Sequence, residues 1–223
     1  AEDFGHRACD SGLTSASVAN EDQAWHGRSS ECIVFLPFDH LLEGFNLGSD
    51  GVDFVQVVEL AQRSGARVIA SAGSKISRTV AHDKGAEIVL DRHRDDIVAA
   101  VMDATRGRGA DRIVEVDFGV NATVDIAALA PHGILAAYSS STERMPVLDY
   151  YAFARKSARL DFVQGALLSP SQLTDASTRI GAFLCAGLLR PDIAHEFSLN
   201  ETAHAHELVE AGVPANVVVD PTI

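Results

Sequence analysis

Residues able to do chemistry collect at the ends of short β-rich runs. The run 66–70 is followed by Ala72-Gly73-Ser74-Lys75, with Arg78 a turn further on. The run 87–90 is followed by Arg92, in the charged stretch RHRDD. The run 112–116 leads into Asp117-Phe118-Gly119, the run 134–138 into Tyr138-Ser139-Ser140, and Asn216 opens the last run. Gly48 and Gly51 stand ahead of an amphipathic stretch. Glycine lets backbone approach a ligand and a helix N-terminus attracts anions. The pair therefore reads either as a phosphate cradle or as an ordinary turn with its N-cap. Lys75 and Arg78 read either as anion partners or as the solvated start of a helix. Arg92 could bind an anion too, or pair within its own loop.

Other chemistries find less support. His204 and His206 lie two apart on a helical pattern, so they point to different faces and make a poor metal pair. His40, in a long loop, reads as an acid/base group or a surface residue. No Ser/His/Asp order and no Cys/His pair stands out. The three cysteines, Cys9, Cys32 and Cys185, are odd in number and far apart, which fits a reducing compartment and offers no zinc spacing. The net charge of -13 has no basic stripe to offset it, so nucleic acid is not an expected partner. No apolar run approaches the ~20 residues that span a bilayer. The opening AEDFGHRACD has neither a basic nor an apolar export region. No membrane association and a cytoplasmic setting are expected.

The elements that must position these residues alternate regularly. Hydrophobic residues make up 47% of the 223, enough for a sizeable core. Strands are expected over 32–36, 66–70, 87–90, 112–116 and 134–138, with helices over 52–64, 76–84, 95–105 and 121–129 between them. Gly65, Gly85 and the Gly107-Arg108-Gly109 turn end three of these helices, because a left-handed C-cap favours glycine. Pro131-His132-Gly133 is expected as the turn ending the fourth. That alternation means a parallel sheet wrapped by helices, which binds ligands at the carboxyl ends of its strands. Residues 37–51 form a loop longer than the ~2–6 residues usual in such connections. After 141 the rhythm changes. A connector over 142–154, a strand over 159–166, a helix over 172–186 closed by Gly187, a cap at 198–202 before a helix over 203–211, and a strand over 216–219 are expected.

The segments GARVIAS, KGAEIVLD, ATRGRGADRIVEV, LAPHGILAAYSS and AHELVEAGVPANVVVDP, in this order and spacing, resemble the medium-chain dehydrogenase/reductase superfamily. The nearest likeness is to its zinc-independent, zeta-crystallin-like quinone oxidoreductase branch, over residues 32–221. The resemblance implies a Rossmann-like, doubly wound parallel sheet with helices on both faces, plus a C-terminal strand-helix extension. It implies a lead-in at 1–31, a dinucleotide-binding core at 32–158, and a part at 159–223 that completes the sheet and forms a dimer edge. The activity implied is hydride transfer from NADPH to a quinone or conjugated carbonyl compound.

On that likeness Gly48 and Gly51 form the pyrophosphate turn. Ser74, Lys75, Arg78 and Arg92 surround the adenosine end. With no carboxylate after the second strand, NADP(H) is favoured over NAD. Asp117, Tyr138 and Ser139 line the adenine and nicotinamide walls, and Asn216 approaches the cofactor. No catalytic residue and no metal ligand is assigned. A homodimer joined through about residues 158–168 is implied, because an apolar edge strand left unpaired invites aggregation.

Two departures support an alternative. The family's N-terminal catalytic domain has almost no counterpart in this sequence. Phe54 replaces the last glycine of the cofactor turn, with Asp50 and Asp53 adding charge that disfavours an anion. A non-catalytic Rossmann-like binding or scaffold protein, or a truncated reductase that has lost its cofactor or pairs with a second chain, is the other expectation.

Overall fold

The computed structural model describes residues 31–36, 54–189, 193–211 and 216–223. Two compact units are present, one holding 57–167 together with the first strand, the other holding 168–223.

In the first unit six parallel strands form one sheet: β1 (Glu31–Leu36), β2 (Arg67–Ala72), β3 (Ile88–Asp91), β4 (Ala110–Glu115), β5 (Leu129–Ala137) and β6 (Arg159–Phe162). Their spatial order is β3-β2-β1-β4-β5-β6. The chain steps outward from β1 to β3, returns to β4, and steps outward the other way. Right-handed crossovers then place α1 (Phe54–Arg63) and α2 (Lys75–Asp83) on one face. The same rule places α3 (Ile97–Ala104), α4 (Phe118–Ala128) and α5 (Tyr150–Lys156) on the other. Packing agrees: the Lys84 ammonium, at the end of α2, lies 3.8 Å from Glu59 of α1, while α3 packs on α4 and α4 on α5. This is the Rossmann-like doubly wound α/β class.

Local chemistry sets the ends of these elements. Ser74 and Asp96 cap α2 and α3 by accepting from Ser77 N and Ala99 N. Gly85 follows α2 at φ +102°, and a Cβ there would meet Gln62 of α1 at 3.0 Å, so both backbone and packing require glycine. The core gathers Ile69, Ile113, Leu129 and Leu135 of the sheet with Val101, Phe118 and Ile126 of the helices.

Several expectations are corrected. The connector expected over 142–154 contains the start of α5, whose first N–H groups are capped by Asp149. The turn expected at Pro131-His132-Gly133 lies inside β5. The ladder pairs Ala110 with Leu129 but Arg112 with Ile134, so β5 carries extra residues against β4 and His132 takes φ +61°. A bulge absorbed the turn signal. The strand expected over 159–166 is shorter and ends at Phe162.

The second unit contains α6 (Pro170–Cys185), β7 (Ile193–Ser198), α7 (Thr202–Glu210) and β8 (Asn216–Asp220). Ser169 and Gln172 form a capping box at the start of α6, and Ser198 and Glu201 a second ahead of α7. β7, not anticipated, pairs parallel with β8 in a ladder of their own, and α7 packs on both. Among the described residues of 159–223, only β6 joins the six strands. Cys185 is disulfide-bonded, so the cysteine count does not argue for a reducing compartment.

Candidate functional site

Strand order reverses between β1 and β4, which makes the carboxyl ends of the sheet beside that point the candidate site. Two of its sides are built from described residues. Gly48 and Gly51, the expected pyrophosphate turn, lie outside them, as does His40.

The first side is the end of β2 and β3. Ser74 is committed as the N-cap of α2: its hydroxyl accepts from Ser77 N at 3.0 Å and lies 2.7 Å from the Ser77 hydroxyl. Lys75 is the first residue of α2 and is exposed. Arg78 folds back over the strand ends. Its Nη1 donates to the carbonyls of Gly73 at 2.8 Å and Ala72 at 3.3 Å and pairs with Asp91 Oδ2 at 3.0 Å. Asp91 is in register with Ala72, so the adjacent strand delivers the carboxylate that the stretch after β2 lacks. Asp91 Oδ1 accepts from His93 N at 3.0 Å. The expectation of Arg78 as a phosphate ligand meets an arginine whose charge is matched and whose donors hold two backbone carbonyls. Arg92 follows directly, its N–H on the Ala72 carbonyl at 3.3 Å.

The second side is the end of β4 and β5, where Asp117, Tyr138 and Ser139 come together. Phe118 N donates to the Ser139 carbonyl at 3.1 Å, Gly119 N to the Ser140 hydroxyl at 2.9 Å, and Thr142 N to Asp117 Oδ1 at 3.1 Å. Ser140 donates in turn to the Glu143 carbonyl. Val120 N and Asn121 N reach the Asp117 carbonyl. The segment 139–143 thus clips over the first turn of α4 and uses the N–H groups that a helix start would otherwise offer an anion. Gly119 permits this approach, since a Cβ there would lie 2.2 Å from the Glu143 carbonyl oxygen. Tyr138 N donates to the Glu115 carbonyl at 3.0 Å, which extends the β4–β5 ladder to the site.

Beneath the clip lie two acids that no sequence motif singles out. Glu115 and Asp125 are both 0% exposed. Glu115 Oε1 accepts from Asp117 N at 2.6 Å and Asn121 Nδ2 at 3.0 Å. Burial pushes the Glu115 carboxyl up to about 7, against the pull of those two donors. Burial also raises Asp125 well above the usual carboxylate range, with the neighbouring Glu115 adding to the effect. The available signal was an acid inside the apolar run RIVEV, and an Asn-to-Asp spacing of one helical turn.

Asn216, the remaining expected residue, is the first residue of β8 in the second unit, paired with Ile193.

Comparison with known proteins fits this geometry. A family model for zinc-binding dehydrogenase matches residues 84–214. The quinone oxidoreductase of Salmonella typhimurium is 23% identical over 173 residues, covering 75% of this chain and 52% of that protein. The L-threonine 3-dehydrogenase of Caldanaerobacter subterraneus subsp. tengcongensis is 27% identical over 174 residues, covering 75% and 48%. The chain therefore spans about half the length of these relatives. Among solved structures, Escherichia coli quinone oxidoreductase complexed with NADPH aligns with TM-score 0.67 at 18% identity, over 94% of this chain and 62% of that one. A 2-haloacrylate reductase aligns at TM-score 0.71 and 18% identity, over 95% and 63%. Despite the family's description, no group of three or more His, Cys, Asp or Glu among the described residues is arranged to hold a metal. With the sheet order and the family match in agreement, the chain belongs to the zinc-binding dehydrogenase family, within the medium-chain dehydrogenase/reductase superfamily.

Proposed function

We propose that this chain is the cofactor-binding half of an NADP(H)-dependent, zinc-independent oxidoreductase acting on a quinone or other conjugated carbonyl compound. The observation that supports the reading is the strand-order reversal between β1 and β4, the place where sheets of this class take a dinucleotide, with Lys75 and Arg92 following the neighbouring strands β2 and β3. When bound, the nicotinamide supplies the hydride chemistry. Lys75, exposed at the start of α2, and Arg92 would hold the 2′-phosphate. Arg78 would act behind them, fixing the strand ends through Gly73 and Asp91. Ser74 would shape the turn, and Asp117, Tyr138 and Ser139 would form the opposite wall. The roles of Gly48, Gly51 and Asn216 rest on the sequence resemblance alone. A cytoplasmic setting is proposed with this reading. No helix among the described residues is long and apolar enough to cross a membrane.

We also propose a homodimer through residues 158–168. β6 is the edge strand of its sheet, and Phe162 is 74% exposed although its ring meets Phe118 edge-to-face at 5.9 Å. In an antiparallel pair centred on Leu160, Arg159 of each copy would face Asp161 of the other. Light scattering at micromolar concentration checks this, and a monomer alone would remove it.

A second reading, a binding or scaffold protein without turnover, is favoured by the Arg78–Asp91 pair, which withdraws a cation from the phosphate site. Thermal unfolding with NADPH and NADH separates the two. A ligand at ~100 times its dissociation constant adds about 2.7 kcal/mol. A larger shift with NADPH than with NADH, lost in Lys75→Glu/Arg92→Glu, supports the first. No shift at millimolar NADPH removes it. Binding without quinone-dependent NADPH oxidation selects the second.

A further inference from the structure

Glu115 and Asp125 present a hydrogen-bonding problem with one economical solution. Both carboxyls are fully buried, and their side chains lie within bonding reach of each other. Glu115 Oε1 is satisfied by Asp117 N and Asn121 Nδ2. As two carboxylates, neither acid could donate to the other, and Glu115 Oε2 and both Asp125 oxygens would be left buried without a partner. Buried polar atoms in native proteins are nearly always bonded, and two like charges at contact in a dry site repel strongly. A single proton between the carboxyls removes the repulsion and pairs two of the three orphaned oxygens.

We propose that Glu115 and Asp125 share one proton, and that this proton holds the Asp117–Glu143 clip in place, making the two acids positioning residues for the ligand that lies against the β4–β5 wall. The ligand half of this inference rests on the proposed dinucleotide function; the proton half does not. The link is direct. Glu115 Oε1 anchors Asp117 N, and Asp117 Oδ1 in turn receives Thr142 N from the clip. A second negative charge on the pair would push Glu115 and Asp125 apart and strain that anchor.

Among the described residues, no cation acts on the pair. Asp117 is a further charge beside Glu115 and has the same sign. α3 packs Ile97 and Val101 into this core, and its acid Asp103 is exposed. From α5, Lys156 is committed to the carbonyls of Ala127 and Leu129 at the far end of α4. β5 brings Tyr138, a neutral phenol. β1 pairs with β4 up to Val34, and the next residues there are Phe35 and Leu36.

The test follows the amide resonances of Asp117, Gly119 and Thr142 in the full ¹⁵N-labelled chain from pH 5.5 to 9. In the native protein all three move together as the shared proton leaves. In Asp125→Asn, where an amide N–H replaces the shared proton, they stay still over that range while the rest of the spectrum is kept. Glu115→Gln, which can donate to Asp125 instead, gives the same loss and serves if the first variant does not fold. Native amides that do not titrate, or a midpoint unchanged in either variant, overturn the proposal. In a second arm, the NADPH dissociation constant is measured at pH 6 and 8.5. It rises several-fold more in the native protein than in Asp125→Asn, a ratio that cancels titration of the NADPH phosphate itself. An equal pH dependence in both proteins overturns the positioning role. Absence of NADPH binding at every pH defeats the functional reading, and the amide titration still decides whether the proton is there.

Discussion

The two described sides of the crevice use charge in opposite ways. At the end of β2 and β3 the charged groups are within reach of water and are matched in pairs, Arg78 with Asp91. At the end of β4 and β5 the charged groups are buried, of like sign, and tied into backbone donors. The first arrangement can exchange partners with a ligand at small cost to the fold. The second cannot, because any group removed leaves a buried atom unsatisfied. We expect the β2–β3 side to tune ligand choice and the β4–β5 side to hold the fold and the shape of the wall.

The largest effect should therefore come from Glu115→Ala. It strips the partner from Asp117 N, Asn121 Nδ2 and Asp125 together, and loss of about 3–5 kcal/mol is expected, as when one member of a buried pair is removed. Urea unfolding at pH 6 measures it; a loss below 1 kcal/mol would mean that the buried acids are not central to this side. Gly119→Ala comes next. Its new methyl would stand 2.2 Å from the Glu143 carbonyl oxygen, so the clip must lift, at about 1–3 kcal/mol for an overpacked contact. The amides of Phe118 and Thr142 should then exchange with solvent faster than in the native protein.

The pH dependence comes from the same acids. The folded-state value of Glu115 is raised to about 7, and Asp125 is raised as well, above ordinary unfolded carboxyls. The native state thus binds more protons than the unfolded one across this window. The Glu115 contribution is complete below its unfolded value and is lost as pH rises through about 7, and Asp125 adds a loss of the same sign. Stability should fall between pH 6 and 8 with a slope approaching about 1 kcal/mol per pH unit. A flat profile there would erase the contrast between the two sides.

The contrast also explains what could be read from the sequence. The alternation of strands and helices was legible, and so were Gly65, Gly85 and Gly187 as helix stops, since each adopts positive φ. Local signals failed where tertiary pairing overrode them. Pro131-His132-Gly133 has turn chemistry, yet pairing with β4 carries β5 through it as a bulge. Asp149 capped a helix, α5, that the apolar pattern of so short a segment did not announce. At the site, Lys75, Arg78 and Asp117 were visible because each lies within about a turn or two of the end of a β-rich run. Asp91 as partner of Arg78 was not, because that contact is set by the register of β2 against β3. Glu115 and Asp125 were hidden by the same kind of distance: they lie on a strand and the following helix, and only folding places them together.

Arg78→Ala and Lys75→Ala give the finest discrimination. Removing Arg78 leaves Asp91 without its cation and the carbonyls of Ala72 and Gly73 without that donor. The side chains are 25% and 16% exposed, so solvent screens part of the loss, and about 1 kcal/mol is expected. The ratio of NADPH to NADH affinity should change little, because that guanidinium is committed to the strand ends. Lys75 is the converse. Its exposed side chain at the start of α2 should change stability by less than about 0.5 kcal/mol when truncated. Yet it should lower the NADPH to NADH ratio by roughly tenfold, the loss of one charge-assisted phosphate contact worth about 1.4 kcal/mol. If Arg78→Ala shifts that ratio more than Lys75→Ala does, then Asp91 releases its partner when ligand arrives. The pair at the end of β2 and β3 would then be a closed form of the phosphate site rather than its foundation.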